Sequence, residues 1–127
     1  MRDILSTPYV VGGRTPGVGI DCLGVVAEIA RRRGVPAPDG WPSIEAAYRR
    51  GEIDHSGFPA GWVRVDAPAD PYVIRDGDVL LFYGTHPWCA IVHAGHVYSS
   101  SREHGSAYCV PGYRWKVQPA EVWRWQP

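Results

Sequence analysis

The chemistry-bearing residues of this chain are one cysteine in an unusual setting and a few histidines that could serve it. Cys22 directly follows Asp21, and the Pro8-Tyr9-Val10-Val11-Gly12-Gly13 stretch lies just upstream. Asp is a good N-cap, so the pattern predicts that Cys22 opens a helix carrying Leu23, Val26 and Ala30, flanked by Val25 and Ile29. Arg31, Arg32 and Arg33 fall in its last turn, where cations suit the dipole, and Gly34 is a natural C′ residue. A thiol in the first turn of a buried helix meets unpaired N–H groups and the positive dipole end, which stabilise the reactive thiolate. Nucleophilic catalysis also requires a base and proton donor within hydrogen-bond reach of that thiol.

The elements that must position these groups come from one domain spanning residues 1–127. A hydrophobic content of 45% in 127 residues is enough for one core. Thirteen basic and thirteen acidic side chains cancel, which argues against nucleic acid or an anionic membrane surface as partner. No apolar run follows the N-terminal basic residue and no segment approaches membrane-spanning length. The expectation is therefore no signal peptide and no membrane insertion, with the chain staying in the cytoplasm unless a larger assembly carries it out. Cys22, Cys89 and Cys109 lack Cys-x-x-Cys spacing, so neither a disulfide framework nor a zinc site is expected. Six Trp and seven Tyr imply an aromatic core and a surplus for one contact surface, Trp115, Trp123 and Trp125 being the candidates.

Residues Gly12 to Gly19 read as a loop, followed by the helix from Cys22 to Arg33. Pro36 and Pro38 end it, and Pro42-Ser43 begins a second short helix running to about Arg50, stopped by Gly51. Glu52 to Gly61 reads as a polar connection. The period then changes from helical to alternating. Trp62–Val65, Val79–Tyr83, Trp88–His93 and His96–Ser100 read as strands, with weaker signals at Ser106–Val110 and Glu121–Trp125. The Pro68/Pro71 stretch breaks the chain, Asp76-Gly77 makes a turn, and Ala94-Gly95 suits a tight hairpin. Helices followed by antiparallel strands give an α+β class, with N-terminal helices packed on one curled sheet.

Pro8-Tyr9, Gly12-Gly13 and Ile20-Asp21-Cys22-Leu23-Gly24 together resemble the nucleophile motif of the NlpC-type cell-wall cysteine peptidases. Arg75-Asp76-Gly77-Asp78-Val79-Leu80-Leu81-Phe82 is similar to that family's Gly-Asp strand, and the Cys89–Ser101 hairpin to its next two strands. The similarity covers about Tyr9 to Ser101, and the short form with a long insert resembles the branch found in phage-tail assembly proteins. The resemblance implies a minimal papain-like α+β fold. It also implies cleavage of amide bonds in peptidoglycan stem peptides by Cys, His and a third polar residue, without cofactor or metal. It carries Cys22 over as nucleophile, Tyr9 as a substrate-side tyrosine and Asp21 as a shaper of the substrate subsite. A packing role for Tyr9 and a simple N-cap for Asp21 stand beside those readings.

The departures from the family pattern are specific. Laying it on Cys89-Ala90-Ile91-Val92 puts Trp88 at the base position, and the third polar residue falls at Ser99 or Ser100. Trp has only an indole N–H donor and cannot act as a base. His86 is the nearest replacement, two residues before Trp88 and roughly 6–7 Å along the strand, a gap that a bulge at Pro87 would have to close. His93 falls on the face opposite Trp88, and His96 flanks the hairpin turn. His55 and His104 lie in loop sequence and read as solvated, Arg31 to Arg33 as a solvated helix end, and Cys89 and Cys109 as core or edge-strand residues. Two functional readings follow. One is an active hydrolase using Cys22 with His86 on peptidoglycan peptides. The other is a domain that kept the fold, lost the chemistry and serves as a structural part of a phage tail or similar assembly, bound to other tail proteins.

Overall fold

The computed structural model describes residues 1–49, 52–65 and 75–127. The expected break at Pro68/Pro71 and the expected helix stop at Arg50-Gly51 lie outside these residues. Helix α1 spans Cys22–Arg32, with Asp21 as N-cap in an extended conformation and its side chain accepting the Gly24 N–H. Arg33 is the C-cap and Gly34 follows at φ +77°. Leu23, Val25, Val26, Ile29 and Ala30 are all buried. Burying each of the four larger ones contributes about 1.5–3 kcal/mol, against about 1 kcal/mol for a cap. Packing therefore holds the helix, and the cap decides where it begins.

That packing is against a six-stranded antiparallel sheet. Its strands are β5 (Trp62–Val65), β6 (Val79–Phe82), β7 (Trp88–His93), β8 (His96–Ser101), β9 (Ser106–Pro111) and β10 (Glu121–Trp125), in the order β5-β10-β6-β7-β8-β9. The β6–β9 stretch is a meander. Ala94 and Gly95 both take positive φ in the β7–β8 turn, the twist-matched geometry of a two-residue hairpin. Strand β10 returns to insert between β5 and β6. A buried pair fixes it there: Arg124 donates to both carboxylate oxygens of Asp78, at 2.8 and 2.9 Å, just before β6.

Alternation divides the sheet into two buried faces. Val79, Leu81, Cys89, Ile91 and Tyr98 share a cluster with α1. Leu80, Phe82, Ala90, Val92, Val97 and Val122 form a second cluster, against which Trp115 packs. The candidate contact-surface tryptophans are largely spent inside the molecule. Trp123 stacks on Phe58 at 4.0 Å, Trp125 meets Trp62 edge-on, and Trp115 meets Phe82 and Trp88.

The smaller elements depart further from the sequence reading. Helix α2 is only Ile44–Ala47, capped by Ser43, because Tyr48–Arg49 (β3) turns into an antiparallel pair with Glu52–Ile53 (β4). The Tyr48 ring, packed 5.1 Å from that of Tyr83, draws the chain out of the helix. Arg14–Thr15 (β1) and Gly19–Ile20 (β2) form a hairpin within the glycine loop. His55 sits in a 3-10 turn with Nε2 3.0 Å from the buried Glu121 carboxylate, so it is not the solvated loop residue expected. Among the described residues, no helix is long and apolar enough to cross a membrane.

Gly24 gives this architecture a test. An added Cβ there would overlap the Gly13 carbonyl oxygen and the Ile20 side chain. Helix propensity alone favours Gly24→Ala by about 1 kcal/mol, whereas overpacking costs about 1–3 kcal/mol. We expect a net loss of stability, read as a lower urea midpoint with an unchanged slope; a raised midpoint would mean the loop does not press on α1.

Candidate active site

The site begins with how the glycine loop is pinned to α1. Asp21 is buried, and its Oδ2 accepts the Gly12 N–H at 2.8 Å while Oδ1 accepts the Gly24 N–H at the same distance. Arg14 completes the arrangement with a 2.7 Å ion pair to Oδ1. The same guanidinium reaches Asp39 at 2.8 Å and the carbonyl oxygens of Gly13 and Trp41, joining the loop to the segment before α2. Asp21 thus lies beneath the cleft rather than on its wall, and its role is positional. Arg14 carries no motif signal, and only the fold reveals it as the partner of Asp21.

Above this latch, Cys22 opens onto a cleft of about 610 Å³. The thiol residue is only 4% exposed. The cleft follows from a split in the sheet. Strands β7 and β8 pair at Ile91/Tyr98, Val92/Val97 and His93/His96. Beyond Tyr98, β8 continues along β9, and β7 on the other side continues along β6. At the fork the Ser99 hydroxyl donates to the Cys89 carbonyl at 2.7 Å, a side chain standing in for a ladder bond. Ser100 Oγ donates to the Ile20 carbonyl at 3.0 Å, tying β8 to the residue before Asp21. Both hydroxyls, the expected third polar residues, therefore bond backbone carbonyls.

The strand residue opposite Cys22 is also not the one expected. The Trp88 ring stacks on Phe82 at 3.9 Å, on the sheet face away from α1, although its edge borders the cleft. A single-residue change of parity moves the α1-facing position to Cys89, which is fully buried. Cys89 and Cys22 belong to the same buried cluster between the sheet and α1. Burial first, then interaction with Cys22, pushes the Cys89 thiol well above its usual pKa.

Two histidines border the cleft. His86 is exposed in the β6–β7 loop, because β7 starts at Trp88 and leaves it off the strand. His104 is exposed in the β8–β9 turn, as expected of a solvated loop residue, and it lines the same cleft, held from two sides. Its ring stacks on Tyr108 at 3.8 Å, and its Nδ1 lies 3.0 Å from Ser101 Oγ, which also accepts the His104 backbone N–H. Tyr9 and Tyr108 line the cleft as well. Burial raises both phenols, and negative charge at Cys22 adds to each shift, for Tyr9 after that of Glu45. Arg102, Glu103 and Glu45 give the walls charges of both signs. Among the described residues, no three His, Cys, Asp or Glu side chains are placed to hold a metal ion. No family model, curated protein or solved structure matches this chain.

Removing the latch tests this construction. Asp21→Ala abolishes a cap and leaves the Gly12 N–H and Arg14 without their acceptor, so we expect a loss of about 2–4 kcal/mol in denaturant unfolding. Asp21→Asn keeps an oxygen for the cap and should lose less. Equal losses would assign the effect to the charge alone.

Proposed function

We propose that this chain is a papain-like cysteine hydrolase of the NlpC type that cleaves an amide bond in peptidoglycan stem peptides. The observation that carries the reading is the Cys22 thiol at the start of a buried helix, opening onto a cleft that also holds the oriented imidazole of His104. In this mechanism the helix N-terminus stabilises the oxyanion that forms on the substrate carbonyl. His104 with its proton on Nδ1, donated to Ser101 Oγ, presents Nε2 as the base. Nε2 takes the thiol proton and returns it to the leaving amine as the Cys22 thioester forms. Water then attacks the thioester, the imidazole taking its proton, and the free thiol is regenerated. Ser101 takes the orienting role expected of Ser99 or Ser100, and His104 the role expected of His86. The walls, with Arg102 opposite in sign to Glu45 and Glu103, suit a peptide bearing both carboxylate and amine groups.

A second reading has its own observation: the β7 residue that shares the α1-facing core with Cys22 is Cys89, not a histidine. On that reading the domain is an inactive structural part of a phage tail or similar assembly, made in the cytoplasm and carried into the virion by its partner proteins. Trp123 is buried and Trp115 and Trp125 are half-buried in ring contacts, which leaves that reading little aromatic surface for docking.

Digestion of purified peptidoglycan distinguishes the two, with released peptides measured by mass spectrometry. The hydrolase should release them, Cys22→Ala should abolish release, and His104→Ala should slow it by about 10²–10⁴-fold. His86→Ala should leave the rate near that of the unaltered protein. A rate lost with His86 and kept without His104 would reverse the base assignment, and no release by the unaltered protein would favour the structural reading.

A further inference from the structure

The cleft holds one permanent cation. Arg102, in the β8–β9 turn, is the single Arg or Lys among its lining residues. Arg14, Arg32 and Arg124 are each held by a carboxylate. Arg102 pairs with no carboxylate among the described residues, and its guanidinium carbon lies over the Tyr9 ring, 5.8 Å from the centre. The backbone fixes that placement. The Gly105 N–H closes the turn on the Ser101 carbonyl at 2.9 Å, and the Gly105 carbonyl accepts the Tyr9 N–H at the same distance. The turn that carries Arg102 and the residue whose ring it covers are therefore tied directly to each other. Glu45, in the first turn of α2, and Glu103 line the same cleft. Burial, then the charges of Glu45 and Cys22, raise the Tyr9 phenol while Arg102 opposes them, so the ring lies in fields of both signs. We propose that Arg102, laid over Tyr9, is the specificity-determining residue of this cleft and selects peptides that present a free carboxylate.

The peptide concerned is the stem peptide of the hydrolase reading, on which this selectivity rests. A guanidinium presents a planar fork of N–H donors that meets both oxygens of a carboxylate at once. Stacked on an aromatic face, it loses little by giving up water, and its plane is held for the incoming group. A carboxamide offers one oxygen and turns an NH2 donor toward the fork, so the charge and half the acceptors are lost. A phosphate would satisfy the fork as well, but Glu45 and Glu103 on the same walls repel a multiply charged anion. A peptide with one carboxylate at Arg102 and an amine toward Glu45 meets neither penalty. Stem peptides carry such a carboxylate at two places, on the γ-linked glutamyl residue and at the C-terminus, and both offer the fork the same chemistry. Amidation of the stem then decides which peptides the cleft accepts.

Binding is measured apart from hydrolysis, with Cys22→Ala as the chain so that no peptide is turned over; Cys22→Ser replaces it should the alanine variant fail to fold. The probe is the tripeptide alanyl-γ-glutamyl-lysine, unmodified, amidated at the glutamyl carboxylate, or amidated at the C-terminus, titrated by calorimetry. At least one amide should bind about tenfold more weakly than the unmodified peptide, and which one identifies the carboxylate that Arg102 reads. Arg102→Gln in the same background should weaken the unmodified peptide to the level of that amide and remove the difference between them. Arg102→Lys keeps the charge without the fork and should recover only part of it. Equal binding of all three peptides, a preference for the acid that survives Arg102→Gln, or no binding of the unmodified tripeptide would each overturn the proposal. Digestion of peptidoglycan separates this from the hydrolase reading. Released peptides without the preference would leave the hydrolase standing and remove the role of Arg102, whereas the preference without release would leave a peptide-binding cleft and remove the hydrolase.

Discussion

One buried carboxylate governs this molecule. Asp21 holds two backbone N–H groups from different segments and one guanidinium, all within 2.8 Å. A charge this deeply desolvated is tolerable only when its acceptor capacity is filled, so the three donors and the carboxylate are mutually obligatory. The consequence is geometric. The Gly12 N–H fixes the loop, the Gly24 N–H fixes the first turn of α1, and Arg14 carries the constraint on to Asp39 and Trp41. Cys22, packed in the core, is therefore also placed by its neighbour's electrostatics.

The cleft arises from a second constraint, the failure of two strands to stay paired. Sheets normally gain by extending every ladder, and here β7 and β8 part after three residue pairs. Side chains absorb the cost. Ser99 satisfies a carbonyl that the ladder would have taken, and Ser100 does the same for the loop before α1. A run of small hydroxylated residues is suited to this, because each can bond a carbonyl without filling the space that the fork opens. The same run ends at Ser101, whose hydroxyl turns to His104 instead. Three consecutive serines are thus given three different partners.

Local signals made much of this legible in the sequence, and long-range contacts account for the rest. Asp21 before an apolar helical pattern marked the start of α1, and Ala94-Gly95 marked the β7–β8 turn, because each feature is fixed within a few residues. The α2 end was not legible, since the pairing of Tyr48–Arg49 with a later segment overrides helical periodicity. The place of β10 between β5 and β6 depends on Arg124 meeting Asp78, 46 residues away. Trp88 was misplaced by one position of parity, enough to send a side chain to the other face. The place of His104 on the cleft was not legible for a different reason: a histidine in a hairpin turn has no periodicity, and only the bend of β8 into β9 brings it to the cleft that Cys22 lines. The papain-like identity remains a reading of motifs together with this cleft.

The first residues of the chain also close the edge of the sheet. Ser6 donates to the Ala107 carbonyl, Ala107 donates back to Thr7, and Tyr9 donates to Gly105, so residues 6–9 run along β9 as a partial seventh strand. Unpaired strand edges are where sheets join other sheets. With β9 covered, β5 is the strand edge left open among the described residues, at the far side of the sheet from Cys22. Association by sheet extension would fall along β5, away from the strands that carry the cleft.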